Sequence, residues 1–112
     1  MLSVLQGAAV SLVVLTGGPV PNYSAERFCR GIAELLQEPD YRQRCIERER
    51  EALNSLKASW SKFDARDRSR CVSLSSLGAT PSYVELLACL ETAQEIRERE
   101  AREHLKQRGR RP

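Results

Sequence analysis

The residues with the most chemistry to offer are four cysteines, Cys29, Cys45, Cys71 and Cys89. An even set of thiols can oxidise to two disulfides, or as thiolates can hold a zinc ion. Spacing separates the two uses. Structural zinc sites draw ligands in close Cys-x2–4-Cys pairs, because one turn then delivers two thiolates to a tetrahedron. Here the nearest two cysteines lie sixteen positions apart, and the single histidine, His104, stands among charged residues near the C-terminus. The pattern predicts two disulfides, with no metal and no cofactor.

Four cysteines allow three connectivities. Cys45 with Cys71 is the least compatible, because a helix through Phe63 carries the chain roughly 27 Å beyond Cys45 at 1.5 Å per residue. Cys29 with Cys45 closes a helix hairpin across Glu38-Pro39, and Cys71 with Cys89 then ties a Ser/Gly-rich loop to the last helix. This pairing is preferred, with Cys29–Cys71 and Cys45–Cys89 left open.

Other chemistry is thinner. Serine, histidine and aspartate all occur, but a lone histidine without an apolar setting is a poor general base. Glu49 is the one acid on an otherwise apolar helix stripe. It reads either as a buried acid awaiting a proton or cation, or as a boundary carboxylate paired with Arg42 or Arg50; the second is preferred because lone acids are seldom buried. Trp60, Phe63 and Tyr41 could line an apolar pocket, but aromatics on a helix stripe usually fill a core. No enzyme is expected.

The bases are the remaining candidates. Formal net charge is +3. Residues 42–70 hold nine Arg or Lys against five acids, and residues 94–112 hold seven against four. A partner-binding role falls on Arg97, Arg99, Arg102, Lys106, Arg108, Arg110 and Arg111, which could attract an acidic protein or make weak contact with a membrane surface. Acids interleave with these bases, which also suits a solvated helix face, and no aromatic residues accompany them for stacking. No specific nucleic-acid binding is expected.

The elements that must position these residues are helices. Asn22 or Ser24 can cap a first helix running to about Gln37, with Phe28, Ile32, Leu35 and Leu36 as its apolar face. Glu38-Pro39-Asp40 ends it and opens the next, since proline suits a first helical turn. A long second helix spans about Asp40 to Phe63, with Tyr41, Cys45, Ala52, Leu53, Leu56, Trp60 and Phe63 on the core stripe. Asp64-Ala65-Arg66-Asp67 resembles a capping box and opens a short helix ending near Val72. Residues 73–81 form a loop. Ser82-Tyr83-Val84-Glu85 is a second box, opening a last helix whose core face is Tyr83, Leu86, Leu87, Leu90, Ala93 and Ile96. Beyond Ile96 only i, i+4 pairs such as Glu95–Arg99 and Glu98–Arg102 support it, so it should project into solvent and fray by Gly109. The fold class is all-α: about four helices stapled by two disulfides, with a projecting charged C-terminal helix.

No charge occurs before Glu26, and Val4 to Leu15 is an apolar run followed by Thr16-Gly17-Gly18-Pro19. Its length fits a signal-peptide h-region and is short for a membrane span. A basic n-region and a clean small-x-small site are missing, which leaves an uncleaved anchor or a buried helix as alternatives. The organisation is read as a leader over 1–21, a disulfide-stapled helical domain over 22–96 and a basic helical tail over 97–112. Such a leader and such cysteines place the chain in the periplasm or outside the cell.

From Tyr41 onward the pattern resembles a group of small secreted proteobacterial four-cysteine helical proteins of uncharacterised activity. The resemblance rests on Cys45, Glu49, Leu56 and Trp60, on Asp67 to Cys71, and above all on Thr80-Pro81-Ser82-Tyr83-Val84-Glu85-Leu86-Leu87-Ala88-Cys89-Leu90. It covers about half the chain and implies a cysteine-bridged envelope protein without implying an activity. The expectation is a non-enzymatic structural or interaction protein. A small carrier of an apolar ligand is the alternative, and a cytosolic basic nucleic-acid binder comes third.

Overall fold

The structure, a computed structural model, describes residues 18–78 and 80–110. The apolar run before Gly18, and with it most of the expected leader, lies outside the described residues, as does Arg111. Among the described residues there are four α-helices and one 3-10 turn, and no strand: α1 (Ala25–Leu36), α2 (Tyr41–Ser59), the turn (Trp60–Lys62), α3 (Ala65–Ser75) and α4 (Tyr83–Gly109). None of these helices is long and apolar enough to cross a membrane.

Local chemistry sets each boundary. Of the two candidate caps for α1, Ser24 is the one used, its side chain accepting from the Arg27 amide. Gln37 ends α1 in the left-handed region at φ 56°, where glycine is the usual occupant. Its neighbour Glu38 donates its amide back to the Ala33 carbonyl at 3.1 Å. Asp64 caps α3 by accepting from the Arg66 amide at 2.8 Å. Two expected boundaries move. α2 tightens into the 3-10 turn at Trp60, and α3 runs on to Ser75, past Val72, where the serine hydroxyls of Ser75 and Ser76 fold back onto the Val72 carbonyl.

Both disulfides of the preferred connectivity are present, Cys29–Cys45 with its Cα atoms 5.6 Å apart and Cys71–Cys89 at 5.8 Å. No cysteine is free, so no thiolate remains for zinc. The first bond ties α1 to α2, the second α3 to α4, and α2 packs against α4 between them. The core is small: Ala52, Leu56, Phe63, Cys71, Tyr83, Leu86 and Leu90 are buried together. Tyr83 anchors the entering chain. Its hydroxyl accepts from the Tyr23 amide and donates to the Pro21 carbonyl, and the two tyrosine rings lie 4.9 Å apart.

Five core assignments change, and two of these, Leu53 and Leu87, are half-buried against the core. Trp60 is half-buried at the rim, its indole N–H donating to the Gly18 carbonyl at 2.8 Å and the Arg68 guanidinium lying over its ring. Tyr41, also half-buried, lies beneath Arg44 and Arg48. Ile96 is exposed, because α4 has left the bundle by that point.

Candidate functional site

The buried polar groups come first, because they decide which parts of the molecule are scaffold. Glu49 is 1% exposed and meets no arginine. The expected pairing with Arg42 or Arg50 is overturned: Arg42 bonds Glu26 instead. Glu49 faces the start of α4, accepting from the Ser82 hydroxyl at 2.6 Å, the Tyr83 amide at 2.7 Å and the Val84 amide at 3.3 Å. The first amides of a helix have no partner within it and carry partial positive charge. A carboxylate from α2 supplies that partner, and Ser82 Oγ accepts from the Glu85 amide to complete the cap. Glu49 is therefore a positioning group that registers α4 on α2.

Arg68 serves the C-terminal end of α2 and the 3-10 turn that follows it. It is buried, and its Nη1 donates to the carbonyls of Trp60 and Phe63, each at 2.8 Å, where the partial negative charge of a helix end favours a cation. Asp67 is also buried and is held by Arg97, with Nε–Oδ2 at 2.6 Å and Nη2–Oδ1 at 3.0 Å. Arg97 depresses the Asp67 carboxyl, chiefly by hydrogen bonding. The neighbouring Asp64 is held down to about 2, mainly by the Arg66 side chain and amide.

This removes Arg97 from the expected binding set, because its guanidinium already belongs to the fold. The rest of the tail stands where the sequence places it. α4 continues as one unbroken helix to Gly109, and every residue from Glu98 to Arg110 is exposed. Arg99 reaches Glu95 at 4.0 Å and Lys106 reaches Glu103 at 3.9 Å; pairs of this kind are worth only a few tenths of a kcal/mol. Arg99, Arg102, Lys106, Arg108 and Arg110 thus stand on a projecting arm with no core beneath them.

A second feature escaped the sequence reading. Of the stripe Phe28, Ile32, Leu35, only Phe28 comes up beside Tyr41 and Cys45 of α2, and Leu35 is exposed. Cys29 and Ala33 are the buried residues of α1, because the disulfide turns that side of the helix toward Cys45. Successive residues on a helix are about 100° apart, so Phe28, Ile32 and Leu35 lie to one side of that junction and line an open groove of about 610 Å³. The facing wall carries Leu74 and Ser75 of α3, Gly78 and Thr80 of the loop, and Glu85 and Cys89 of α4. Leu35 and Leu77 are both 80% exposed and Leu74 is 53% exposed. The signal was available in the sequence: two apolar stripes on one twelve-residue helix, only one of which contains the cysteine.

Among the described residues no cluster of histidine, cysteine, aspartate or glutamate is arranged to hold a metal ion. The arrangement offers a rigid frame, an apolar groove and a charged arm. No protein-family model matches the chain, nor does any curated protein or solved structure.

Proposed function

We propose that this chain is a non-enzymatic interaction module of an oxidising compartment, periplasmic or extracellular, in which a stapled three-helix frame holds out the α4 arm. The observation that carries the reading is the contrast within α4 itself. Its first half is locked by the Cys71–Cys89 bond, the Glu49 cap and the Asp67–Arg97 pair. Its second half is exposed throughout and lies on nothing. A solvated helix of this length has little intrinsic stability, so the frame supplies its starting turns and its direction. The disulfides support the compartment, since such bonds persist where thiols are not kept reduced.

The arm carries an excess of bases over acids, so the partner chemistry it favours is acidic, with attraction that salt screens. The test is co-isolation from envelope and culture-medium fractions, comparing the full chain with a variant truncated after Glu100. The reading expects a partner that is lost on truncation and weakened by salt. Co-isolation that survives truncation contradicts it.

The groove favours a second reading, a carrier of an apolar ligand, because its walls are mainly hydrocarbon. Titration with a fluorescent fatty acid tests this. Saturable binding abolished by Gly31→Leu supports a carrier, and absence of saturable binding excludes it.

A further inference from the structure

We propose that residues 18–24 are a strap belonging to the folded domain, and that the proteolytic cut which matures this chain falls before Gly18. The proposal rests on the reading of the chain as one of an oxidising compartment, and names the site at which such a chain is processed.

The segment ahead of α1 forms neither helix nor strand, yet it is stitched to three other elements. The Gly18 carbonyl accepts from the Trp60 indole N–H at 2.8 Å, where α2 passes into the 3-10 turn. Val20 packs against the core. The Pro21 carbonyl accepts from the Tyr83 hydroxyl at 2.9 Å, and the same hydroxyl accepts from the Tyr23 amide at 2.7 Å, at the start of α4. The Tyr23 hydroxyl hydrogen-bonds with Ser75 Oγ at the end of α3, and Ser24 caps α1. Gly18 sits at φ 67°, in the left-handed region that glycine enters without strain.

Where a leader ends decides which of these anchors survive. A leader over 1–21 would carry away Gly18, Val20 and Pro21, and with them three contacts. Tyr83 is 3% exposed, so loss of Pro21 would take the acceptor from a hydroxyl beside the core, which is costly. Two bonds inside the strap, Gly18–Pro19 and Val20–Pro21, also end on a proline nitrogen without a hydrogen, which most endopeptidases refuse. Upstream, Thr16 and Gly17 follow the apolar run directly, and a small residue at the cut suits a leader peptidase. Gly17–Gly18 is the last bond whose hydrolysis keeps every anchor. One water is consumed there, leaving a carboxylate on Gly17 and an ammonium on Gly18.

Two measurements test the proposal. Intact mass and N-terminal sequencing of protein isolated from its own compartment should show a chain shortened within residues 1–17 that retains Gly18. A start at Pro19 or later overturns the proposal, as does an uncut Met1; either result, with both disulfides present, leaves the oxidising-compartment reading intact. Recovery from the cytoplasm with four free thiols overturns both.

The strap is tested separately by chymotrypsin, which cuts after accessible tyrosines, on the oxidised full chain. Cleavage after Tyr23, followed by mass, should be slow in the wild type. It should be at least about tenfold faster in Trp60→Phe/Tyr83→Phe, which loses the two donors that hold Gly18 and Pro21 but keeps both rings. Formation of both disulfides in that variant shows that its frame has folded. Equal rates in the two proteins, or a wild type cut at Tyr23 as fast as the reduced, unfolded chain, overturn the strap.

Discussion

Arg97 grips Asp67 through two hydrogen bonds across thirty positions of sequence, and this pair marks where the bundle ends and the arm begins. Asp67 is buried in α3, while Arg97 belongs to the turn of α4 that leaves the core. A boundary at Ile96, placed where the apolar pattern thins, cuts one residue too early.

Two truncations expose the difference. Ending the chain after Glu100 retains the pair and should leave the melting temperature almost unchanged, because the lost residues are exposed and their ion pairs are weak. Ending it after Ile96 removes both hydrogen bonds from a buried carboxylate and leaves it only Arg70 at 3.6 Å, which should lower the melting temperature clearly. Equal melting temperatures for the two would show that the pair contributes nothing to folding.

Acid should weaken the protein through the same cluster. Asp64 and Asp67 have folded pKa values below the ordinary 3.8, Asp64 at about 2. A depressed folded value means that the unfolded chain takes up protons first as pH falls. Their contribution is therefore complete above the ordinary value and is lost progressively from 3.8 down through about 2 for Asp64. Urea midpoints measured across that range should fall for the wild type. The fall should be shallower for Asp67→Asn, which begins from lower stability.

Glu49 should be costly to remove although it touches no ligand. Glu49→Ala leaves the Tyr83 and Val84 amides and the Ser82 hydroxyl without their carboxylate, an expected loss of about 2–4 kcal/mol. Glu49→Gln keeps one carbonyl acceptor and should lose less. Denaturant unfolding measures both, and near-neutral values for each would mean that the α4 cap is dispensable.

The rim position of Trp60 makes a graded prediction. Leu56 is fully buried, so Leu56→Ala should cost about 2–5 kcal/mol. Trp60 is half-exposed and one indole hydrogen bond holds it to the entering chain, so Trp60→Ala should cost less, about 1–3 kcal/mol. Chemical denaturation of both variants ranks them, and a larger loss at Trp60 would place it in the core after all.

Most of the architecture was legible because it is written locally. Ser24, Asp64 and Ser82 announce their helices within three residues, and Glu38-Pro39 fixes the hairpin that brings Cys29 to Cys45. What the sequence hid depends on distant partners. Glu49 looked like a boundary acid because the helix start it caps lies 33 positions further on. Arg97 looked like one more tail arginine because Asp67, its partner, already had a role in a local capping box. The groove was hidden for a different reason: Phe28, Ile32 and Leu35 were recognised as a face, but an apolar face does not state whether anything covers it.

The oxidation state of the four cysteines decides most directly whether the frame is stapled. Protein isolated from its own compartment, with thiols trapped by an alkylating agent and no reductant added, should show an intact mass with no alkyl groups. After reduction it should take up four, and peptide mapping without reduction should join Cys29 to Cys45 and Cys71 to Cys89. Four alkylated cysteines before reduction would contradict the stapled frame and the oxidising compartment together.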